Sequence, residues 1–225
     1  MRRDMFVAAA AVPALLLCTT ASAQFVFPTT GHASSNFIPF GSEVTTQHQV
    51  FDAALFVANL GGQPIAQINR IAFSPGVTGT FNLGAVEINL GYTNVAPGSL
   101  ALPSAGTNPS GPLSSFFSDP NYSVNITLSG SNEWTEMILS GTFNYDPSLG
   151  NLLVEIIVNG AGNRGLHVSR AAGSGESSRA YETGRFGNNA GNTTATRMQF
   201  SFTGVPAPGT LALLGLAGLA VRRRR

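Results

Sequence analysis

Tyr122-Ser123-Val124-Asn125-Ile126-Thr127-Leu128-Ser129 is the stretch on which the fold class turns. Its apolar side chains, Tyr122, Val124, Ile126 and Leu128, alternate with Ser, Asn and Thr, the period of two that a half-buried β-strand requires. Residues 196–203 repeat the pattern, with Met198, Phe200 and Phe202 on one face and Arg197, Gln199 and Ser201 on the other. Working outward, residues 51–57, 65–73, 81–90, 134–143 and 152–158 are further strand candidates. The last is continuously apolar apart from Glu155, which predicts a position in the middle of a sheet. Residues 51–60 are ambiguous, since Asp52-Ala53-Ala54-Leu55-Phe56 equally allows one or two helical turns.

Seven or more short strands, punctuated throughout by Gly, Pro, Ser and Asn, predict an all-β domain built as an antiparallel β-sandwich, jelly-roll-like, rather than a parallel α/β sheet. Residues 97–119, carrying Pro97, Pro103, Pro109 and Pro112, read as a long connection across one end of it. Residues 160–192 read as a second long connection, rich in Gly, Asn and Ser, holding Arg164, Arg170, Arg179 and Arg185 and expected to be the most mobile part. Asp146-Pro147 followed by Gly150-Asn151 predicts a turn leading into the strand at Leu152.

The composition agrees. Of 225 residues, 43% are hydrophobic but only 10% are charged, less than half the usual share, the difference being made up by small and polar uncharged residues. A disordered chain would carry fewer bulky apolar residues, and a coiled coil would need an Ala/Glu/Lys/Leu/Arg repeat that is absent. All twelve basic residues are Arg, and six stand at the two ends, as Arg2, Arg3, Arg222, Arg223, Arg224 and Arg225. Residues 24–204 keep six Arg against ten acids, a net charge of −4 that argues against nucleic acid as a partner.

The two ends have their own logic. Residues 1–23 have a positive start, an apolar run from Phe6 to Cys18 and small residues ending Ala21-Ser22-Ala23, the layout of a secretory signal peptide cleaved by signal peptidase after passage through the secretion translocon. Cleavage is expected between Ala23 and Gln24. A lipoprotein signal at Cys18 would want a small residue where Leu17 stands. Cys18 is the single cysteine, so residues 24–204 have no disulfide, no thiol nucleophile and no thiolate metal site. At the other end come Val205, Pro206, Ala207, Pro208 and Gly209, then an uncharged stretch to Val221, then the four terminal Arg. The prolines keep the entry extended, and leucines on every side of the following segment suit a short transmembrane helix, about 25 Å long over residues 205–221. The Arg cluster would stay cytoplasmic.

These last residues resemble the PEP-CTERM sorting signal of bacterial exported proteins, which consists of a Pro-Glu-Pro motif, a short transmembrane helix and an Arg-rich terminus. Ala207 stands where that family has Glu. The resemblance covers 205–225 and implies recognition by an exosortase-type membrane protease, transient anchoring in the inner membrane and delivery to the cell surface or extracellular matrix. The domain between the tags resembles an all-β secreted domain found with such signals, through Asn36-Phe37-Ile38-Pro39-Phe40-Gly41, Gln49-Val50-Phe51-Asp52-Ala53-Ala54-Leu55-Phe56, Ile71-Ala72-Phe73 and residues 143–153. That resemblance implies a destination and supplies no chemistry.

Motifs of chemistry are sparse. Gly173-Ser174-Gly175-Glu176-Ser177 has the wrong order for a nucleophile elbow. His32, His48 and His167 are far apart and in no metal-binding spacing, and neither phosphate loop nor dinucleotide fingerprint is present. Glu87 and Glu155 lie in apolar runs, where an acid is costly unless paired or working. A hydrolase would place them about 5–10 Å apart in an open groove. Glu133 and Glu136 flank Trp134, which, with Tyr122, is a candidate stacking platform for a sugar. Asp119 and Asp146 each precede a Pro and read as turn formers, so no Ca²⁺ ligand set emerges. The expectation is an exported protein without catalytic residues, metal or cofactor, structural or adhesive in role. The alternative is a carbohydrate-binding, lectin-like module whose partner is extracellular polysaccharide. A buried Trp134 would favour the first and a Trp134 exposed in a concave face the second.

Overall fold

The computed structural model describes residues 23–29, 33–60, 65–127, 134, 137–160, 165–172 and 175–203. The strands are β1 (Ala23–Phe27), β2 (Ala33–Asn36), β3 (Val44–Phe51), β4 (Ala66–Phe73), β5 (Gly79–Thr93), β6 (Ser114–Ile126) and β7 (Met137–Tyr145). They continue with β8 (Asn151–Asn159), β9 (Val168–Ala172), β10 (Ser177–Thr183), β11 (Gly187–Asn192), β12 (Thr194–Thr196) and β13 (Met198–Thr203). One helix, α1 (Ala53–Asn59), follows β3; Asp52 caps it by accepting from the Ala54 N–H at 2.8 Å. The ambiguous stretch therefore ends a strand at Phe51 and turns helical at once. Phe56, on the buried side of the helix, is what fastens it to the sheets.

All pairings are antiparallel, in three sheets ordered β1-β13-β4-β7, β11-β10-β3-β8-β5-β6 and β12-β9-β2. One core cluster draws side chains from the first two: Phe27, Ile68, Ile71, Phe73, Leu139, Phe200 and Phe202 from the four-stranded sheet, and Phe51, Val86, Ile88, Leu90, Val154, Ile156 and Val158 from the six-stranded one. At its centre Phe56 packs against Phe27, Tyr145, Phe200 and Phe202, with ring centroids 4.8–6.0 Å apart. β8 lies between β3 and β5, as its apolar run predicts. Val124 and Ile126 are buried between exposed Ser123 and Asn125, and Met198, Phe200 and Phe202 are buried. The first alternation holds as far as Ile126, Leu128 and Ser129 lying outside the described residues; the second holds too, although residues 196–203 are split at Arg197 into β12 and β13 and Ser201 is buried as well.

Both long connections differ from their sequence-based expectation. Residues 94–113 do not cross an end; they lie over the outer face of the six-stranded sheet, where Leu100 packs with Val50, Leu153 and Ala180 in a second small core. Ser104 is held there by Glu182, through its N–H at 2.8 Å and its hydroxyl at 2.5 Å, and β6 already begins at Ser114. Residues 160–192 contain β9, β10 and β11 rather than one long connection. Their strands escape a hydrophobic-period search because the buried positions of β10 are Ser177, Ser178, Arg179 and Ala180. The Asp146 turn is present: Asp146 Oδ1 accepts from Ser148 N–H at 2.8 Å, and the Tyr145 hydroxyl donates to the Gly150 carbonyl at 2.8 Å.

On one side the two large sheets meet backbone to backbone. A Cβ at Gly141 of β7 would overlap the carbonyl oxygen of Phe116 in β6, so glycine there is what lets the two edge strands touch. Among the described residues no helix is long and apolar enough to cross a membrane. Residues 1–22 of the expected signal segment 1–23, and the whole expected sorting segment 205–225, lie outside the described residues, while Ala23 opens β1.

Candidate functional site

Trp134 is half-buried. The Arg197 guanidinium carbon lies 5.2 Å from its ring centroid, and Arg70 Nη2 donates to its carbonyl oxygen at 3.0 Å. The Arg197 guanidinium thus partly covers the ring, which is neither fully buried nor fully exposed. Glu133 and Glu136 lie outside the described residues. Tyr122 is half-buried too, edge-on to Phe117 at 5.5 Å, with its hydroxyl pKa pushed up to about 12 by burial and by Asp119. Asp146 acts as a turn former, accepting the Ser148 N–H at 2.8 Å, whereas Asp119, expected to do the same, lies inside β6 at an irregularity in its pairing with β5, where it accepts the Asn121 N–H at 2.8 Å.

The carboxylates Glu87 and Glu155 do share a face. Asn89 pairs with Glu155 and Glu87 with Ile157, so the two acids are diagonal neighbours on the outer face of β5 and β8. Glu87 is exposed, whereas Glu155 is committed. Its Oε1 accepts from His48 Nε2 at 2.9 Å and its Oε2 from Asn89 Nδ2 at 2.8 Å. The other ring nitrogen of His48 accepts from Asn108 Nδ2 at 2.9 Å. Asn108 is itself fixed in orientation, since it donates to the Ala101 carbonyl at 2.8 Å and accepts the Ala101 N–H at 2.9 Å. An amide donor facing Nδ1 requires the tautomer with hydrogen on Nε2, so the chain Asn108–His48–Glu155–Asn89 is fully matched. The hydrogen bond from His48, followed by that from Asn89, holds the Glu155 pKa below the usual carboxylate range against the opposing effect of its partial burial.

A general acid needs a raised pKa and a hydrolytic histidine needs a hydroxyl or water on its free nitrogen. Here the carboxyl is depressed and the imidazole is occupied on both sides, by Glu155 and Asn108. What the network does is fasten the 94–113 segment to the sheet. Because the folded pKa of Glu155 lies below its unfolded value near 4.5, its contribution is complete above that pH and is lost as pH falls through the folded value. Glu155→Gln should therefore lower stability at pH 7 by about 2 kcal/mol and flatten the loss of stability below about pH 4.5, as read from urea unfolding across pH.

One surface cluster escapes sequence reasoning. Phe37, just after β2, His167, just before β9, and Phe186, at the tip of the β10–β11 hairpin, come together: Phe37 lies 3.8 Å from the His167 ring and 5.6 Å from the Phe186 ring, the latter stacked. The Arg185 guanidinium carbon sits 5.0 Å from the Phe186 centroid. Phe186 is 45% exposed, and Asn188 and Asn189 of the exposed edge strand β11 follow it. The tip is shaped by Thr183 Oγ1, which accepts the Phe186 N–H at 2.8 Å and donates to the Gly187 carbonyl at 3.1 Å. The available signal was a lone Phe in Gly184-Arg185-Phe186-Gly187-Asn188-Asn189, an apolar residue without an apolar neighbour.

The four arginines of residues 160–192 are not a set. Arg179 is completely buried, Arg170 partly buried, Arg185 exposed, and Arg164 lies outside the described residues. Among the described residues no three His, Cys, Asp or Glu side chains are grouped to hold a metal ion; His32 lies outside them. Ala23 and Gln24, the expected cleavage pair, open β1 opposite Phe202 and Ser201 of β13. No family model, no curated protein and no solved structure matches the chain.

Proposed function

We propose that this chain is an exported cell-surface or extracellular-matrix protein of structural or adhesive role. In this reading a β-sandwich of jelly-roll type is freed from an N-terminal signal peptide and sorted by a PEP-CTERM-like segment, with an exosortase-type protease as its processing partner. The observation that carries it is how the first and last described strands meet. β1 begins at Ala23, β13 ends at Thr203, and the two pair antiparallel, Ala23 opposite Phe202. Every described strand lies within residues 24–204 except for Ala23, the first residue of β1, and the two points where the tags join, Ala23 and Thr203, lie at the same end of one strand pair. Cleavage after Ala23 and beyond Pro208 removes one residue, Ala23, from the end of β1 and keeps the β1–β13 pairs from Gln24–Ser201 to Phe27–Met198. The jelly-roll reading is supported by chain order, in which β3, β4, β5 and β6, β7, β8 and β13 alternate between the two large sheets. Deleting residues 205–225 should leave a folded domain with unchanged thermal midpoint that is exported but no longer retained at the surface, as cell fractionation reads. A deletion variant still held at the surface would count against the tag as the sorting device.

A second reading, saccharide binding, is favoured by one observation: the 45% exposed ring of Phe186 beside the carboxamides of Asn188 and Asn189. An exposed ring stacks on the C–H face of a pyranose while amides meet its hydroxyls, and Arg185 adds a preference for uronates. Affinity electrophoresis in gels containing a uronate polysaccharide or dextran checks it. Retardation by the uronate should fall about tenfold for Phe186→Ala, equivalent to about 1.4 kcal/mol, and stay unchanged for Trp134→Phe.

A further inference from the structure

The inner face of the six-stranded sheet changes chemistry across its width. On β5 and β8 it presents Val86, Ile88, Leu90, Val154, Ile156 and Val158; the register carries the same rows on to Thr45, Gln47 and Gln49 of β3 and to Arg179 of β10. This polar half is completely buried and is covered by β12. Its amides are matched. Gln47 Nε2 donates to Thr196 Oγ1 at 3.2 Å, Gln49 Nε2 donates to the Thr196 carbonyl at 2.8 Å, and the Thr196 N–H donates to Gln49 Oε1 at 2.9 Å.

Arg179 is not matched. Its Nη1 donates to Thr196 Oγ1 at 3.1 Å and, at 3.4 Å, to the Ile38 carbonyl, while Nε and Nη2 have no hydrogen-bond partner. Ser177 Oγ, two residues earlier on the same face, is buried and unpartnered as well. No carboxylate bonds to the guanidinium among the described residues. The Tyr181 ring, 5.3 Å from its carbon, offers only partial compensation, and the other nearby charge is Arg170, a second cation. Burial, reinforced by Arg170, pushes the Arg179 pKa down to about 10, so it is still charged at neutral pH. An ionised group buried without a counter-charge is strongly destabilising, and buried charges in folded proteins are paired.

We propose that Arg179, within the field of Arg170, binds a small inorganic anion of halide type, enclosed between the polar half of the six-stranded sheet and β12 as the domain folds. Complete burial of the side chain sets the size class: a sugar acid or phosphate ester would need an opening to solvent. Nε and Nη2 supply two parallel donors, and Ser177 Oγ lies on the same strand face. Binding only to the folded state must then raise stability by mass action.

The test is thermal unfolding of the purified full chain at constant ionic strength, with chloride or bromide replacing gluconate, together with bromide anomalous diffraction. The expected result is a saturable rise in midpoint of about 5 °C at roughly a hundred times the dissociation constant, a bromide peak within hydrogen-bonding distance of Arg179 Nε or Nη2, and a flat halide response for Arg179→Gln. Identical midpoints in gluconate and chloride, or bromide peaks at the surface only, would overturn the proposal. If Arg179→Gln does not fold, the wild-type halide series and the diffraction peak still decide.

Discussion

Phe56→Ala should destabilise the domain by about 3–5 kcal/mol, the range for deleting a buried aromatic ring, and lower its thermal midpoint by roughly 10 °C. Phe56 is the only described residue of α1 that is buried, and it meets rings from β1, β7 and β13 at once. The helix has seven residues, too few to persist alone. Truncating this ring therefore removes both the centre of the aromatic cluster and the attachment of the helix, and the surrounding rings, held in separate strands, can close the cavity only partly. Differential scanning calorimetry checks the value. A loss below about 1 kcal/mol would mean that the helix is not seated as described.

Gly141→Ala should have a comparable effect for the opposite reason. Its methyl group would meet the Phe116 carbonyl oxygen, backbone against backbone, where neither side has a rotamer with which to yield. Overpacking usually costs 1–3 kcal/mol, and with two ladders pinning the strands we expect about 3 kcal/mol or more. The loss should be reported first by faster amide exchange along β6 and β7, since these are the edges forced apart. Unchanged exchange in both strands would contradict the close approach.

How much of this could be read from the residues depended on what each strand buries. Residues 122–126 and 198–202 announced themselves because their inward side chains are apolar, and residues 152–158 because both of their faces are covered. β3 and β10 did not. β3 buries Thr45, Gln47, His48 and Gln49, and β10 buries Ser177, Ser178 and Arg179, so their alternation is polar against polar and periodicity has no contrast to detect. The same cause hid Arg179, which in a Gly-, Ser- and Asn-rich stretch reads as solvated. Glu155 was legible as an acid needing a partner, but that the partner is His48, 107 positions away, follows from strand register. The Phe37–His167–Phe186 cluster likewise exists only through topology. Trp134 drew attention as the single tryptophan beside two acids, and the structure gives its ring to Arg197.

The central claim is that residues 24–204 are the working unit and that both ends are addresses. Its most direct test is the intact mass of the protein recovered from the surface or matrix of a host that has its own exosortase. The account predicts a species beginning at Gln24 and lacking the chain beyond about Pro208, with net charge −4 in the domain that remains. A species carrying Arg222 to Arg225 and retained in the inner membrane would contradict it, and would make residues 205–221 an anchor rather than a sorting signal.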